Sequence, residues 1–402
     1  MNNLEAPFSF DELFFSRTDE RGIILSGNDV FQRISQYSWA ELIKKPHNII
    51  RHQDMPKAVF WLLWKTIKSG KPIGAYVKNK AKDGKFYWVF AIVTPVDGGF
   101  LSVRLKPSSA IFDIIKTEYK NLLEIEFSEK LSPEKSANIL LVKLKEFGFS
   151  CYEDFMAIAL AAETKSRNTN LNIPNDDAII RFEEVIKSAN SLLSNSKNVF
   201  TMYQRGAYIP LNLQVKSAQL GDEGKTIAVI ANNYNSITNE IKKGIISFLD
   251  SAQEVFNSIN NALFLVSTTL VQKEILQVFR TETEKDNSKI IEVELLEKIE
   301  KSYFEQAIAS LSQVSRLLKK FQSDYSNIKM LSSGLQVTKV MGKVESSRVV
   351  GEKIGLLELM SDLDNLQKEI SSNLKIIETL NKSVDYDINI LVNQVSKKQA
   401  FS

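Results

Sequence analysis

The first 107 residues alternate between short apolar segments and turn-forming polar residues. Five β-strands are predicted, at residues 14–19, 23–28, 73–80, 86–96 and 100–105. Three short helices are predicted between the second and third strands, at residues 29–37, 39–44 and 56–68. Asp83-Gly84 separates the third strand from the fourth, and Asp-Gly between alternating segments is a strong hairpin signal. This order predicts an α+β domain over residues 1–107, an antiparallel sheet with helices on one side.

The chain from residue 110 onward has little strand pattern. Ser132-Pro133-Glu134 has the residues of a helix N-cap and first turn, so a helix is expected to start there. The polar segment 166–177 contains Asn, Asp and Pro at short spacing, which is typical of a loop. We therefore predict a helical connector over residues 108–175.

Residues 176–402 carry apolar positions at alternating steps of three and four. One such run comprises Ile227, Ile230, Tyr234, Ile237 and Ile241. A period of 3.5 residues held over several heptads predicts a coiled coil. Breaks at residues 221–224, 281–289 and 342–351 would divide this region into antiparallel arms. Two tandem hairpins of this kind can close into a four-helix bundle within one chain, with the turns near 221–224 and 342–351 at the same end.

Composition narrows the function classes. Lys and Arg number 51 against 48 Asp and Glu, and no basic stretch is dense enough to indicate nucleic-acid binding. The single cysteine, Cys151, cannot form an internal disulfide, which suits a reducing compartment. The longest apolar runs fall short of the roughly 18 residues that span a bilayer. The N-terminus lacks a positive region ahead of an apolar one, so we expect a cytoplasmic protein without a membrane span.

Both histidines and all four tryptophans lie within the first 88 residues. Such a concentration of rare side chains either fills one small core or surrounds one ligand. Phe60 and Trp64 lie four residues apart on a predicted helix, and they suit either a core or the cover of a flat ring. Trp88 lies in a hairpin strand and is the better candidate for the core.

Polar residues of the same region offer the complementary chemistry. Arg51 and His52 are neighbours that can donate to a phosphate. Asn28 and Asn79 can both donate to and accept from the edge of a ring. His52 can alternatively ligate haem iron, which leaves haem as an alternative cofactor.

Two further polar residues have simpler explanations. Asp54 can cap the helix that follows Pro56, a structural role that competes with ligand binding. His47 has no assigned role, and a surface position or local hydrogen bonding is its default.

The N-terminal sequence resembles the PAS domain of bacterial aerotaxis receptors. The resemblance covers about residues 10–107 and rests on three stretches: PHNIIRHQDMPKA, VKN and DGKFYW. In that family the PAS domain binds FAD non-covalently and senses cellular redox state or oxygen. The flavin-linked positions of the family match seven residues here: Asn28, Arg51, His52, Asp54, Phe60, Trp64 and Asn79.

A second resemblance concerns residues 212–237, which are similar to the signalling hairpin of methyl-accepting chemotaxis receptors. The matching positions are Asn212, Ala218, Gly221, Gly224, Ala228, Val229 and Ala231. Pro210 and Lys216 depart from the family pattern, which has alanine and glutamate there. In that family the tip of the hairpin contacts the chemotaxis histidine kinase and its coupling protein. The resemblance therefore implies these partners or a chemoreceptor array, and homodimerisation through the PAS domain is an open alternative.

Three functions are compatible with these features. The first is a non-enzymatic redox or oxygen sensor that signals through the helical region. The second is an adaptor in which the PAS domain mediates assembly without a working cofactor. The third, a flavoenzyme, has the least support because no second substrate site is visible. No P-loop or kinase signature is present, and two histidines do not support a catalytic triad or a zinc site.

Overall fold

The computed structural model describes residues 4–283, 289–348 and 354–400. They form two compact units, each treated separately below. The first contains the residues up to 180, together with 260–309 and those from 395 onward. The second contains residues 181–259 and 310–394. The domain limits expected at residues 107 and 175 stay predictions.

A five-stranded antiparallel sheet forms the centre of the first unit. The strands are β1 (Phe14–Asp19), β2 (Ile24–Gly27), β3 (Ile73–Lys80), β4 (Phe86–Val96) and β5 (Gly99–Leu105). Their spatial order is β2-β1-β5-β4-β3. Gly84 and Gly98, with φ of 90° and 78°, occupy turn positions that an ordinary side chain would strain. The predicted antiparallel sheet is confirmed.

Short helices cover one face of this sheet, which we call the inner face. They are α1 (Asp29–Ser35), α2 (Trp39–Leu42), a 3-10 turn (His47–Ile50) and α3 (Lys57–Lys68). Pro56 is the N-cap of α3, one position earlier than the first-turn position that the sequence suggests. The apolar residues of α3 that are buried include Ala58, Val59 and Leu62, and this helix provides one wall of the site described below.

The predicted connector is helical throughout most of its length. It contains α4 (Ala110–Ser128), α5 (Pro133–Glu146) and α6 (Tyr152–Leu171). Ser132 caps α5 by accepting from Lys135 N, as its position before proline predicts. The loop predicted at residues 166–177 is wrong in its first half, because α6 continues to Leu171. Arg167 explains the extension: it is buried, it donates to the Phe10 carbonyl at 2.7 Å, and it pairs with Glu274 at 2.7 Å.

Long helices make up the rest of the chain. They are α7 (Asp177–Gly206), α8 (Tyr208–Gln219), α9 (Lys225–Thr283), α10 (Ile290–Arg348) and α11 (Ile354–Ala400). The α7 helix ends just before Pro210, which lies in the first turn of α8, where a proline is tolerated. The residues of α9 and α10 from 260 to 309 belong to the first unit. Parts of the connection predicted at 281–289 lie outside the described residues.

The second unit is an antiparallel bundle of four helical arms around one apolar core. Phe248 of α9 stacks on Phe321 of α10, with ring centroids 4.3 Å apart. On the α10–α11 side, Tyr325 donates to Glu378 at 2.8 Å. The core cluster draws side chains from all four arms. The all-α antiparallel bundle predicted from the heptads is therefore confirmed.

The structure describes the first of the two predicted turns in full and the second only in part. Gly221–Gly224 is a short 3-10 turn, as expected. Gly342 lies within α10, and a Cβ there would meet Met360 of α11 and Ile230 of α9. The ends of α9, α10 and α11 near the two breaks therefore lie together, although Gly351 itself is outside the described residues.

One stretch, Gly221–Thr281, is long and apolar enough to cross a membrane by length and composition. Within its test window 72% of the residues are buried inside the protein. A buried apolar helix in the core of a protein meets the same criterion.

Candidate functional site

A cavity of about 240 Å³ lies between the inner face of the sheet and α3. We call it the inner cavity. Its sheet side is formed by alternate residues of four strands, because successive side chains of a strand point to opposite faces. These residues are Ser16, Thr18, Val77, Asn79, Ala91, Val93, Phe100, Ser102 and Arg104. The remaining wall comes from α3 and from the loops before it: Arg21, Gly22, Pro46, His47, Asn48, Arg51, Phe60, Leu63, Trp64 and Ile67.

Aromatic side chains give the inner cavity flat walls. Phe60 and Trp64 project from successive turns of α3, as their spacing of four predicts. Trp64 also meets Phe100 of β5 edge to face, with ring centroids 5.7 Å apart. A Cβ at Gly22, where φ is 79°, would lie 3.1 Å from the Trp64 ring. The glycine therefore allows the indole to lie close against the β1–β2 turn.

A buried arginine that the sequence analysis missed lies in this cavity. Arg104 of β5 is 4% exposed, and its Nη2 donates to Ser16 Oγ at 2.8 Å and contacts His47 Nε2 at 2.7 Å. Burial lowers the pKa of Arg104 to about 10, which leaves the guanidinium charged at pH 7. Within the described residues no carboxylate pairs with it, so this charge is available to an electron-rich ligand.

His47 is the neutral neighbour of this arginine. Burial and the charge of Arg104 both lower the pKa of His47, so the imidazole is uncharged at pH 7. Since Nε2 accepts from the guanidinium, the ring proton belongs on Nδ1. The ring also stacks on Phe31, with an interplanar angle of 2°. The partners of the ring, Ser16 and Arg104, are 31 and 57 residues away along the chain, so the hydrogen bonding of His47 is long-range and not local as predicted.

Three residues of the sheet wall carry polar atoms that lack partners. Asn79 Nδ2, Ser102 Oγ and Arg104 Nη1 are buried and have no hydrogen-bond partner in the described part of the protein. An unpartnered buried donor costs about 1–3 kcal/mol. Three such groups on the residues lining one cavity indicate that a ligand with hydrogen-bond acceptors belongs there.

Arg51 lies at the rim of the same cavity. Its guanidinium stacks on the Phe60 ring, 3.8 Å from the centroid, and Nη2 donates to the Met55 carbonyl at 3.3 Å. Burial lowers its pKa, but no carboxylate in the described residues forms an ion pair with it. Its backbone also forms a β-bridge with Asn79. A half-buried cation with unused donors can bind the phosphate of a ligand.

Asn28 does not line the inner cavity. Its side chain is fully buried; Oδ1 accepts from Phe15 N at 3.0 Å and from Phe31 N at 3.1 Å. Nδ2 donates to the Leu13 carbonyl at 2.8 Å. The residue is thus the N-cap of α1 and a tie to β1, with its amide already occupied.

His52 and Asp54 lie outside the inner cavity as well. Nδ1 of His52 accepts from Asp54 N at 3.1 Å, and Asp54 pairs with Lys78 at 2.6 Å. Burial, then the charge of Lys78, lowers the pKa of His52. Lys78 and Asp54 both line a second cleft on the opposite face of the sheet, which we call the outer face. His52 is therefore not placed to ligate iron in the inner cavity.

The outer face is covered mainly by helices of the first unit. Phe15 of β1 packs edge to face on Phe279 of α9, with centroids 4.5 Å apart. Arg17 donates to the buried carboxylate of Glu292 at 2.9 Å, and Ser26 donates to the same oxygen at 2.6 Å. β1 therefore presents Ser16 to the cavity and its two neighbours to the long helices.

The other strands make similar links across the outer face. Tyr76 of β3 donates to Glu163 of α6 at 2.7 Å. The same carboxylate accepts from Ser109 N and Oγ, at the N-terminus of α4. Thr94 of β4 contacts the hydroxyl of Tyr303 in α10 at 3.2 Å. The strands that line the cavity are thus hydrogen-bonded on their other side to α4, α6 and α10.

Residues 24–103 match the family model of the PAS fold. The N-terminal domain is a PAS domain. The aerotaxis receptor of Escherichia coli K12 is 38% identical over 121 residues, which are 29% of this chain and 24% of that protein. The nitrogen fixation regulatory protein of Klebsiella pneumoniae is 31% identical over 81 residues, 20% of this chain and 16% of that protein. The chain therefore matches only about a quarter or less of the length of these relatives.

Solved structures resemble about a quarter of the chain. The light state of the blue-light photoreceptor Aureochrome1 LOV is 17% identical with a TM-score of 0.24, over 26% of this chain and 89% of that one. A PAS domain from Colwellia psychrerythraea is 19% identical with a TM-score of 0.20, over 23% of this chain and 85% of that one. The PAS domain and its similarity to the aerotaxis receptor and the nitrogen fixation regulator indicate a sensor in signal transduction.

Proposed function

We propose that the protein is a flavin-dependent sensor of redox state or oxygen, with FAD bound in the inner cavity. The observation that carries the proposal is the set of three unpartnered polar groups, on Asn79, Ser102 and Arg104, beside aromatic walls. A flavin ring is flat and has carbonyl oxygens and ring nitrogens along one edge. Those groups are the acceptors that the three donors require.

The aromatic residues, the sheet donors and Arg51 then have defined tasks. Phe60 and Trp64 cover the ring, and the donors of the sheet hold its polar edge. Arg51, at the rim, holds phosphate. A cavity of about 240 Å³ is smaller than the roughly 300–1,000 Å³ of typical ligand pockets, so it suits the ring while the rest of a dinucleotide extends outside.

The sensing step would take place at the sheet wall. A bound flavin supplies reversible reduction, which changes where hydrogen-bond donors and acceptors lie on its edge. Asn79 can present either its carbonyl oxygen or its amino group, so its amide can turn in response. The other amino group of Arg104, Nη2, is hydrogen-bonded to Ser16 and to His47. A shift of the guanidinium would therefore displace the Ser16 side chain on β1.

The route to the output would pass through the sheet. Ser16 faces the cavity, whereas the adjacent Arg17 holds Glu292 of α10. A displacement of β1 therefore changes the contact with a long helix directly. Coupling between a ligand site and a distant element is typically worth about 1–3 kcal/mol, which is enough to shift a balanced equilibrium.

The similarity to the aerotaxis receptor supports an oxygen or redox signal. The choice of FAD as the flavin follows from the family resemblance of the PAS sequence. We further propose a cytoplasmic, non-enzymatic protein whose helical bundle contacts a chemotaxis histidine kinase and its coupling protein, or a chemoreceptor array. Homodimerisation through the PAS domain is compatible with this proposal.

Purification of the full chain tests the flavin assignment. We expect a yellow protein whose visible absorption is bleached by dithionite and returns in air. If the protein is colourless, added FAD should restore the absorption at one equivalent per chain. A colourless protein that FAD cannot reconstitute would contradict the proposal and favour the adaptor function.

A further inference from the structure

The first turn of α3 is capped by a residue of another helix. Pro56, the N-cap of α3, has no side-chain acceptor for the free N–H groups with which a helix begins. The carboxylate of Glu126, near the end of α4, accepts instead from Lys57 N at 2.8 Å and from Ala58 N at 3.4 Å. The helix that forms one wall of the inner cavity is therefore held at its N-terminus by α4.

Glu126 is buried and has a partner on α5 as well. The residue is 5% exposed, and the oxygen that accepts from α3 also accepts from the hydroxyl of Ser136. A buried carboxylate depends on such donors, because burial without them costs several kcal/mol. One carboxylate oxygen thus joins α3, α4 and α5.

The charge of Glu126 also reaches the rim of the inner cavity. Burial lowers the pKa of Arg51, and the carboxylate of Glu126 opposes that effect. Arg51 in turn stacks on Phe60 of α3. Glu126 therefore acts both on the α3 wall and on the cation beside it.

The other end of α4 is attached to the sheet. Ser109, the N-cap of α4, donates to the carboxylate of Glu163 through its N–H at 3.1 Å and through Oγ at 2.6 Å. Tyr76 of β3 donates to the same carboxylate at 2.7 Å. The α4 helix is thus linked to β3 at its N-terminus and to α3 through Glu126.

The inner cavity lies between the two elements that α4 joins. The sheet forms one side of the cavity and α3 the other. A ligand that fills the cavity fixes the separation of these walls, and it therefore acts on both attachments of α4. The reverse also holds, because the coupling free energy between two sites is reciprocal.

We propose that Glu126 is a positioning residue of the inner cavity. It holds α3 in the ligand-binding position, and through it the connector helices α4 and α5 and ligand binding control each other. The identity of the ligand as a flavin rests on the proposed function, whereas the attachment of α3 to α4 does not.

Amide hydrogen exchange of the full chain, measured by mass spectrometry without ligand, tests the attachment. Glu126→Ala should speed exchange across α3 about ten-fold, because the helix loses its cap. Glu126→Gln keeps an oxygen acceptor for the N–H groups of α3 and should remain close to wild type.

The matched control is Glu118→Ala, the same change at another buried residue of α4. Glu118 interacts with Lys143 of α5 and does not line the inner cavity. This variant should speed exchange in α4 and α5 but leave α3 unchanged.

Titration with FAD tests the consequence for binding. Glu126→Ala should weaken FAD binding about ten-fold, whereas Glu126→Gln and Glu118→Ala should stay within about two-fold of wild type. A general loss of stability would affect both alanine variants, so the difference between them isolates the positioning role. FAD should also slow exchange in α4 and in the first turn of α5, and this protection should disappear in Glu126→Ala.

The proposal is overturned if Glu126→Ala leaves the exchange of α3 unchanged, or if Glu118→Ala speeds it equally. It is also overturned if Glu126→Ala loosens α3 while the affinity for FAD stays at the wild-type value. A wild-type chain that binds no FAD would contradict the flavin proposal instead. The exchange of α3 in the ligand-free variants would then still decide whether Glu126 holds the cavity wall.

Discussion

Each face of the PAS sheet carries an arginine, and the two arginines differ in whether they are paired with a carboxylate. The inner face has a buried arginine, Arg104, with an unpartnered amino group and no ion pair in the described residues. The outer face has Arg17, whose Nε is paired with a buried carboxylate, Glu292. A paired arginine stabilises the fold, whereas a buried arginine with an unpartnered donor indicates a ligand-binding site. This difference distinguishes residues that are available to bind a ligand from residues that hold the sheet against the helices.

The largest expected effect comes from changing these two arginines in parallel. Arg104→Met should lower flavin affinity about 100-fold, because it removes charged donors from the cavity. Arg17→Met should leave the affinity of the folded protein unchanged but destabilise it by about 3 kcal/mol, since Glu292 stays buried without its cation. Flavin titration and urea unfolding measure the two quantities. Equal loss of flavin in both variants would remove the distinction between the faces.

Asn28 and Asn79 show the same contrast, since the amide of Asn28 is hydrogen-bonded within the fold and Nδ2 of Asn79 is unpartnered. Asn28→Ala should reduce the free energy of unfolding by about 2 kcal/mol, because the α1 cap and two further hydrogen bonds disappear. Asn79→Ala should weaken flavin binding about ten-fold with little change in the stability of the ligand-free protein. Unfolding curves with and without FAD distinguish these results. Retained stability in Asn28→Ala together with lost flavin would show that Asn28 contacts the ligand.

The tryptophans provide a smaller contrast. Trp64 lines the inner cavity, whereas Trp88 lies on the outer face of the sheet. Trp64→Leu should weaken FMN binding about five-fold, the effect expected for a lost stacking contact. Trp88→Leu should leave FMN binding unchanged, because Trp88 does not line the inner cavity. The reverse order would assign the ring to the other face.

The smallest expected effect is a pH dependence from His47. Its pKa is lowered in the folded protein, so the unfolded chain binds more protons below the ordinary value of about 6.5. Stability should therefore fall as the pH drops from about 6.5 to about 5.5, by at most about 1 kcal/mol. His47→Gln should flatten this part of the curve. Thermal unfolding at several pH values provides the comparison, and an unchanged slope would show that the imidazole does not remain neutral.

Local signals in the sequence were sufficient for the strands and α-helices of the PAS domain, but not for the 3-10 turn His47–Ile50. Asp83-Gly84 fixed the hairpin, and the limits of β3 and β4 agree with prediction. The apolar period of α3 placed Phe60 and Trp64 on one wall. Arg51 and Asn79 also line the cavity, and their role in flavin binding stays a prediction.

Long-range pairing explains what the sequence did not predict. Arg104 and His47 are 57 residues apart, and only the packing of the loop against the sheet brings them together. An arginine among the apolar residues of β5 was the available signal, since Phe100, Ser102 and Arg104 alternate onto one face. The position of His52 follows from the same alternation. Arg51 is bridged to Asn79 of β3 and lines the inner cavity, so the side chain of the next residue, His52, points away from the inner cavity.

The helices that cover the outer face come late in the sequence. β5 ends at Leu105, but the first unit also includes residues 260–309. At a translation rate of about 5–20 residues per second, roughly 10–40 s pass between the synthesis of these two parts. During that time Phe15 and its apolar neighbours have no α9 to pack against. The inner face of the sheet is therefore nearly complete during translation, while the outer face is still open to chaperones or to other chains.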